Sequence, residues 1–568
     1  MVTTRRHYKD KVYETVLLRR SYREGGKVKT ETLANLSHLP PEAIAAVRAS
    51  LAGQTLVAAS EGFEVERSLP HGHVAAVCAM ARELGLAKLL GPACAERDLA
   101  LALVVARACQ PASKLATTRW WASTTLGPDL GVEGASTDDV YAAMDWLFSR
   151  QGDIEVALAR RHLAPGGRVL YDLSSSWVEG SCCPLAKRGY SRDGKTGKAQ
   201  IEYGLTCDPE GRPVAVEVFA GNTADPAAFI SAAQAVRERF GLTDVVMVGD
   251  RGMITSARIA ALKAVGGLGW LTSLRAPSIA ALATSGALQM SLFDEVNLAE
   301  ITHPDYPGER LICCRNPLLA AERARKRGEL LTATEQLLAP ILAAVAAGRL
   351  AGADKIGLKI GKVIDKYKMA KHLHLSITDT TVTLTRNHNR ITAEAALDGI
   401  YVLRTSVPAT DLDTPAVINA YKNLSKVERD FRSIKTDDLD LRPIHHRLDD
   451  RVRAHVLICM LAAYLTWHLR QALAPLTFTD ENPPERDNPV APAQRSADAA
   501  TKAARKTTTS THLPTHSYQG LLAHLATLTR NQVRFTNTDT TVPILAEATD
   551  TQRQAFQLLD ATIPLTLQ

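Results

Sequence analysis

YKNLSKVERDFRSIK, residues 421–435, is the stretch whose reading decides the fold. It contains no Gly or Pro, so it reads as one helix. Tyr421, Leu424, Glu428 and Lys435 stand at i, i+3, i+7 and i+14. At about 100° per residue all four fall on one face. A carboxylate sharing a face with Tyr and Leu is unusual, because a buried Glu must be paired or bound to a metal. Taken alone, the segment also fits an amphipathic helix with surface ion pairs.

Two upstream carboxylates sharpen the reading. In RVLYDLSSSWVEG, residues 168–173 form a short apolar strand that Asp172 interrupts near its end. In TDVVMVGDRGMITSARIAAL, the apolar strand 245–248 runs into Gly249 and Asp250, and Thr255 or Ser256 caps a following helix. Each Asp ends an apolar strand, where open α/β sheets place ligand-binding groups. Either alone also fits a turn or a cap. With Glu428 they make an Asp…Asp…Glu set of the kind that holds two divalent cations for phosphoryl transfer.

These residues resemble the DDE transposases of bacterial insertion sequences, in the IS-four-type superfamily. That group carries a Tyr-x2-Arg-x3-Glu-x6-Lys signature, matched here by Tyr421, Glu428 and Lys435, with Leu424 standing in place of the Arg. The blocks YDLSSSWVEG, RGYSRDGKTGKAQ, FAGNTADPAAF, VGDRGM, DGIYVLRTSV and LRPIHHRLDDRVRAHVLICMLAAYL also resemble the family, in order, across roughly residues 13–470. The resemblance implies an α/β fold: an RNase H-like catalytic core with a large α+β insertion, preceded by a mainly helical N-terminal domain. The order of elements read in residues 165–275, β-β-β-α-β-α-β, is that of such a core.

Composition agrees with this class without deciding it. The chain has 568 residues, too many for one core. It is 46% hydrophobic and 22% charged, as soluble globular proteins are. A net charge of +7 is compatible with nucleic acid. The nine cysteines form no C-x-x-C pair, which argues against a zinc ribbon or a disulfide framework. The N-terminus lacks a signal-peptide apolar region, and no run of 18 apolar residues occurs. A cytoplasmic protein without a membrane partner is expected.

Along the chain, residues 1–66 read as a β-hairpin with Arg and Lys on it, then a helix opened by Pro40 and Pro41 and closed by Gly53. Residues 67–150 read as helices, a DNA-binding or dimerisation domain. Residues 160–275 and 400–470 supply the catalytic core. Residues 276–399 are the insertion, with Lys355, Lys359, Lys362, Lys366, Lys368 and Lys371 as phosphate contacts or as a solvated face. Residues 475–515 are rich in Pro, Ala, Ser and Thr and read as a flexible linker. Residues 516–568 form a C-terminal segment whose tail carries no readable role.

The expected function is a DNA transposase that cuts at insertion-sequence ends and transfers the freed 3′-OH into target DNA. Asp172, Asp250 and Glu428 are the expected catalytic and metal-binding set. They would hold two Mg²⁺, with Mn²⁺ as a substitute, because hard cations take oxygen ligands. Tyr421, Lys435, Arg251 and Arg432 are the expected DNA contacts, Arg251 and Arg432 each with a surface ion pair as the alternative. The expected partners are the terminal inverted repeats, target DNA and a second copy of the chain in a homodimer. The runner-up is a sequence-specific DNA-binding protein descended from a transposase, catalytically weakened by Leu424. A third reading is a two-metal nuclease that never joins.

Overall fold

The computed structural model describes all residues except 10, 55–61, 294–296, 485–487, 537–539 and 568. Two compact units emerge. One comprises Met1–Pro70 with Leu528–Glu547, the other His71–Thr527 with Ala548–Gln568.

The first unit is built from strands and one helix. Val2–Tyr8, Lys11–Glu24 and Lys27–Asn35 form an antiparallel ribbon, one strand more than the expected hairpin. The 14-residue middle strand pairs with the first over residues 11–17 and with the third over 17–24. Pro41–Leu51 follows as a helix, started by a proline that has no N–H to satisfy. A second antiparallel sheet joins segments far apart in the chain: Thr529–Phe535 lies between Phe63–Pro70 and Thr540–Leu545.

The second unit is organised around an eight-stranded mixed sheet. In chain order its strands are Arg168–Trp177, Gln200–Cys207, Pro213–Ala220, Val245–Val248, Leu268–Ser273, Leu298–Ile301, Arg310–Arg315 and Ile400–Thr405. Across the sheet the order is sixth, seventh, eighth, fifth, fourth, first, second, third. The first, fourth and fifth strands are parallel, and every other pairing is antiparallel. The three parallel strands are apolar because both faces are covered; Val245–Val248 is buried throughout.

Helices Gly72–Glu83, Ala95–Cys109 and Thr137–Ser149 gather around Asp449–Ala472, which also packs on the third strand. That last helix is apolar nearly all round, which suits an element enclosed on every side. It and Pro317–Ala346 are long and apolar enough to cross a membrane by length and composition, although neither is an unbroken apolar run; 83% of the apolar window of Asp449–Ala472 is buried within the fold. Pro317–Ala346 instead packs on Ala353–Ile364 and the hairpin Leu373–Ile377 and Val382–Arg386, with Leu331, Leu338, Ile356 and Ile360 in a separate small core. Residues 475–515, polar by composition, include the helix Ala497–Arg505, whose Lys502 is buried and donates to the Ala474 carbonyl at 2.8 Å.

Candidate active site

Asp172 lies in the middle of the first strand, longer than its apolar start suggested, and Asp250 lies two residues past the end of the fourth. The parallel register sets Leu170 beside Val248. Two residues on from that pair stand Asp172, still within its strand, and Asp250, in the turn past the end of the parallel neighbour, near enough for the Asp250 charge to act on Asp172. Gly249 still pairs with the sheet, its N–H donating to the Leu271 carbonyl at 3.1 Å, so the chain turns away only at Asp250.

Glu428 comes from a helix that packs against the Asp172 strand. The expected single helix is broken: Thr414–Lys422 and Leu424–Arg432 meet at Asn423, and a wider π-helical turn, Ser433–Asp437, follows. Val427, Phe431 and Ile434 are buried beneath Leu424–Arg432, while Glu428 is exposed. The Phe431 ring meets Tyr203 of the second strand edge-on at 5.6 Å. That contact anchors the helix to the sheet.

Asp250 and Glu428 both act on Asp172. Asp172 is pushed up to about 7, first by burial and then by the charges of Asp250 and Glu428; the Leu173 N–H at 2.8 Å and Arg192 oppose the rise. Burial and like charge both disfavour an anion, as expected where carboxylates converge. A hard divalent cation suits this donor set, since it takes oxygen ligands and would relieve the repulsion. Among the described residues, no three His, Cys, Asp or Glu side chains are closed tightly enough to ligate one ion as they stand.

The other expected site residues are distributed unevenly. The Tyr421 hydroxyl donates to Ser273 Oγ at 3.0 Å, and burial together with the neighbouring Asp250 raises its pKa to about 12. Arg251 and Arg432 are exposed. Lys435 is buried, its ammonium 2.9 Å from Asp193. Leu424 is also buried, as part of the main core. His446 faces the helices, edge-on to Tyr141 and 5.2 Å from the His455 ring. The six insertion lysines are exposed, and Lys371 is paired with Glu394.

Asp193 was not singled out from the sequence, although it lies in the block RGYSRDGKTGKAQ. It is 2% exposed and pairs with both Lys435 and Arg442. Its neighbour Arg192 donates its backbone N–H to Ser175 Oγ at 3.0 Å, three residues beyond Asp172. The loop therefore ties the Asp172 strand to the turn that follows Glu428. Arg442 and Lys195 both stack on Trp177, at 5.0 and 5.3 Å.

Residues 174–465, more than half of the chain, match the transposase DDE domain. The chain belongs to the DDE transposases. The match takes in Asp250 and Glu428 and begins two residues after Asp172. Residues 1–62 match the N-terminal domain of the IS1634 family transposases. No curated protein matches the chain. Among solved structures, a piggyBac transposase synaptic complex with hairpin DNA is similar at 9% identity and a TM-score of 0.34. The similarity covers 65% of this chain and 65% of that one.

Proposed function

We propose that this transposase cuts DNA at the ends of its mobile element and joins the freed 3′-OH to a target, on an RNase H-like core. The strand order third, second, first, fourth, fifth supports that core, with the first, fourth and fifth strands parallel. On this reading residues 276–399 are an insertion, and its strands lengthen the sheet beyond the fifth. The observation that carries the proposal is that Asp172 and Asp250 each stand two residues beyond the Leu170–Val248 pair of adjacent parallel strands, with Asp250 and Glu428 close enough to perturb Asp172.

Asp172, Asp250 and Glu428 would hold two Mg²⁺ ions. Bound there, the ions supply Lewis-acid stabilisation of the phosphorane charge and lower the pKa of an attacking oxygen. The protein's own part is positioning. The parallel pairing of their two segments brings the aspartates together, and the Phe431–Tyr203 contact holds the Glu428 helix on the sheet. The Tyr421 hydroxyl, fixed on Ser273, borders Asp250. Exposed Arg251 and Arg432 are available to DNA phosphates. A phosphate contact by Lys435 requires the Asp193 loop to give way. Two copies would synapse two ends.

The test uses purified chain, Mg²⁺ and labelled DNA carrying the flanking ends. Asp172→Ala is expected to bind the ends and to lose cleavage by roughly two to four orders of magnitude or more. Cleavage by Asp172→Ala at the wild-type rate contradicts the assignment. Cleavage without 3′-OH joining makes the protein a nuclease. Binding without cleavage in the wild type makes it a DNA-binding remnant.

A further inference from the structure

The N-terminal ribbon has two unlike faces. Side chains alternate along a strand, so the register sorts them. One face carries Arg5, Glu14, Arg20, Glu24, Lys27, Lys29 and Glu31, and three of its four cations stand in cross-strand ion pairs. Arg5 meets Glu14 at 3.5 Å, Arg20 meets Glu31 at 2.9 Å, and Lys29 meets Glu24 at 2.5 Å. The same face holds buried Val16.

The opposite face carries Arg6, Lys11, Arg19 and Arg23. Among the described residues it holds no carboxylate, and none of these four cations stands in an ion pair with a described residue. All four are exposed. Between them lie the hydrogen-bonding side chains Thr4, Tyr8, Tyr13, Thr15, Ser21 and Thr30, with the apolar Val2, Leu17 and Val28. Tyr8 and Tyr13 are 65% and 54% exposed.

We propose that this second face is a docking surface for the phosphate backbone of duplex DNA, made by Arg6, Lys11, Arg19 and Arg23. The inference rests on the transposase reading and adds to it a surface outside the carboxylate site. Charge complementarity selects the occupant. A face with four cations, many hydroxyls and no carboxylate among the described residues is what a polyanion requires. From Lys11 to Arg23 the strand advances ~40 Å, at about 3.3 Å per residue, slightly more than one turn of B-DNA. For much of its length the ribbon is only two strands wide, a width the major groove admits.

The test compares two triple variants of the full chain with equal loss of charge. Arg6→Ala/Arg19→Ala/Arg23→Ala strips the proposed face, and Arg5→Ala/Arg20→Ala/Lys29→Ala strips the other. Affinity for a fluorescent duplex bearing the element's end is measured across a series of NaCl concentrations. The first variant is expected to bind at least tenfold more weakly near 0.1 M salt. Its log Kobs against log[salt] slope should be shallower by about 2.7, from 0.9 per lost phosphate contact. The second variant is expected to stay within threefold of wild type. Circular dichroism checks the fold of each, and the single Arg19→Glu variant, which alone should weaken binding, stands in if either triple variant misfolds. Equal losses in both variants, or no loss in the first, overturn the proposal. Stronger competition by single-stranded RNA than by duplex DNA overturns it too. A wild-type chain that binds no DNA sinks the transposase reading itself, and so separates the two failures.

Discussion

At the scale of single residues, Asp193 has more dependants than its place in a loop suggests. It is the counter-ion of two cations, Lys435 and Arg442, that are themselves largely enclosed. Removing one member of a buried ion pair leaves the other charge uncompensated, at a cost of about 3–5 kcal/mol. Asp193→Asn is therefore expected to lower the unfolding free energy by that order in urea titration. Neutralising Lys435 in the same chain, as Lys435→Met, should recover part of it. Leu424 poses the opposite question. The family signature has Arg there, which invites restoring it. Leu424 is only 8% exposed within the main core, so Leu424→Arg should bury an unpaired guanidinium and destabilise by about 3 kcal/mol or more. The expected result is a lower melting temperature with no gain in cleavage. Asp172 and Asp250 are proposed from their places at the ends of apolar strands, and Glu428 from its helical spacing with Tyr421 and Leu424. Asp193 was not legible, because its partners lie more than 240 residues away and only the folded loop brings them together.

At the scale of elements, the helix read across residues 421–435 illustrates what spacing can and cannot carry. Period alone puts Tyr421, Leu424, Glu428 and Lys435 on one face, whereas Leu424 and Lys435 are buried and Glu428 is exposed. The break at Asn423 and the wider turn after Arg432 were not readable, since no Gly or Pro marks them. They arise where the chain must satisfy the Tyr421–Ser273 bond and the Lys435–Asp193 pair together. The helix Asp449–Ala472 raises a second matter. Its His455 is buried; Nε2–H donates to the Leu441 carbonyl at 3.1 Å, so Nδ1 accepts from Lys114 Nζ at 3.3 Å. Burial is the first cause that lowers Lys114 to about 7 and His446 to about 3, and the neighbouring Lys114 and Arg107 charges lower His446 further. Both folded pKa values lie below the unfolded ones, so the unfolded chain binds more protons between them. Stability from Lys114 is present above about 10.5 and lost as pH falls toward 7; that from His446 is present above 6.5 and lost as pH falls toward 3. The melting temperature should therefore drop on acidification below pH 7. Lys114→Met should melt higher than wild type at pH 6, by an amount that shrinks toward pH 10. A wild-type advantage at pH 6 contradicts this account of the cluster.

At the scale of the whole molecule, the end of the chain returns to its beginning within each unit. Thr529–Phe535 pairs with Phe63–Pro70. In the other unit, Phe556 of helix Asp550–Leu558 is almost fully buried, and His71 Nε2 lies 2.7 Å from the Pro564 carbonyl. None of this was legible, because strand pairing over such separations leaves no local signature. The parallel-strand core, by contrast, was readable from its buried-type strands and the turn at Gly249. Deleting residues 548–568 uncovers that apolar surface. The truncated chain is expected to melt at least about 5 °C lower or to aggregate, read by thermal unfolding followed at the tryptophans.

The central claim is that three carboxylates from distant segments act as one site. Its most direct test is cleavage of end DNA in Mg²⁺ by wild type, Asp172→Asn, Asp250→Asn and Glu428→Gln, with binding measured in parallel. The account predicts that wild type cuts and joins, while all three variants bind within a few-fold of wild type and cut nothing detectable. Wild-type cleavage by Glu428→Gln, or by either aspartate variant, contradicts it.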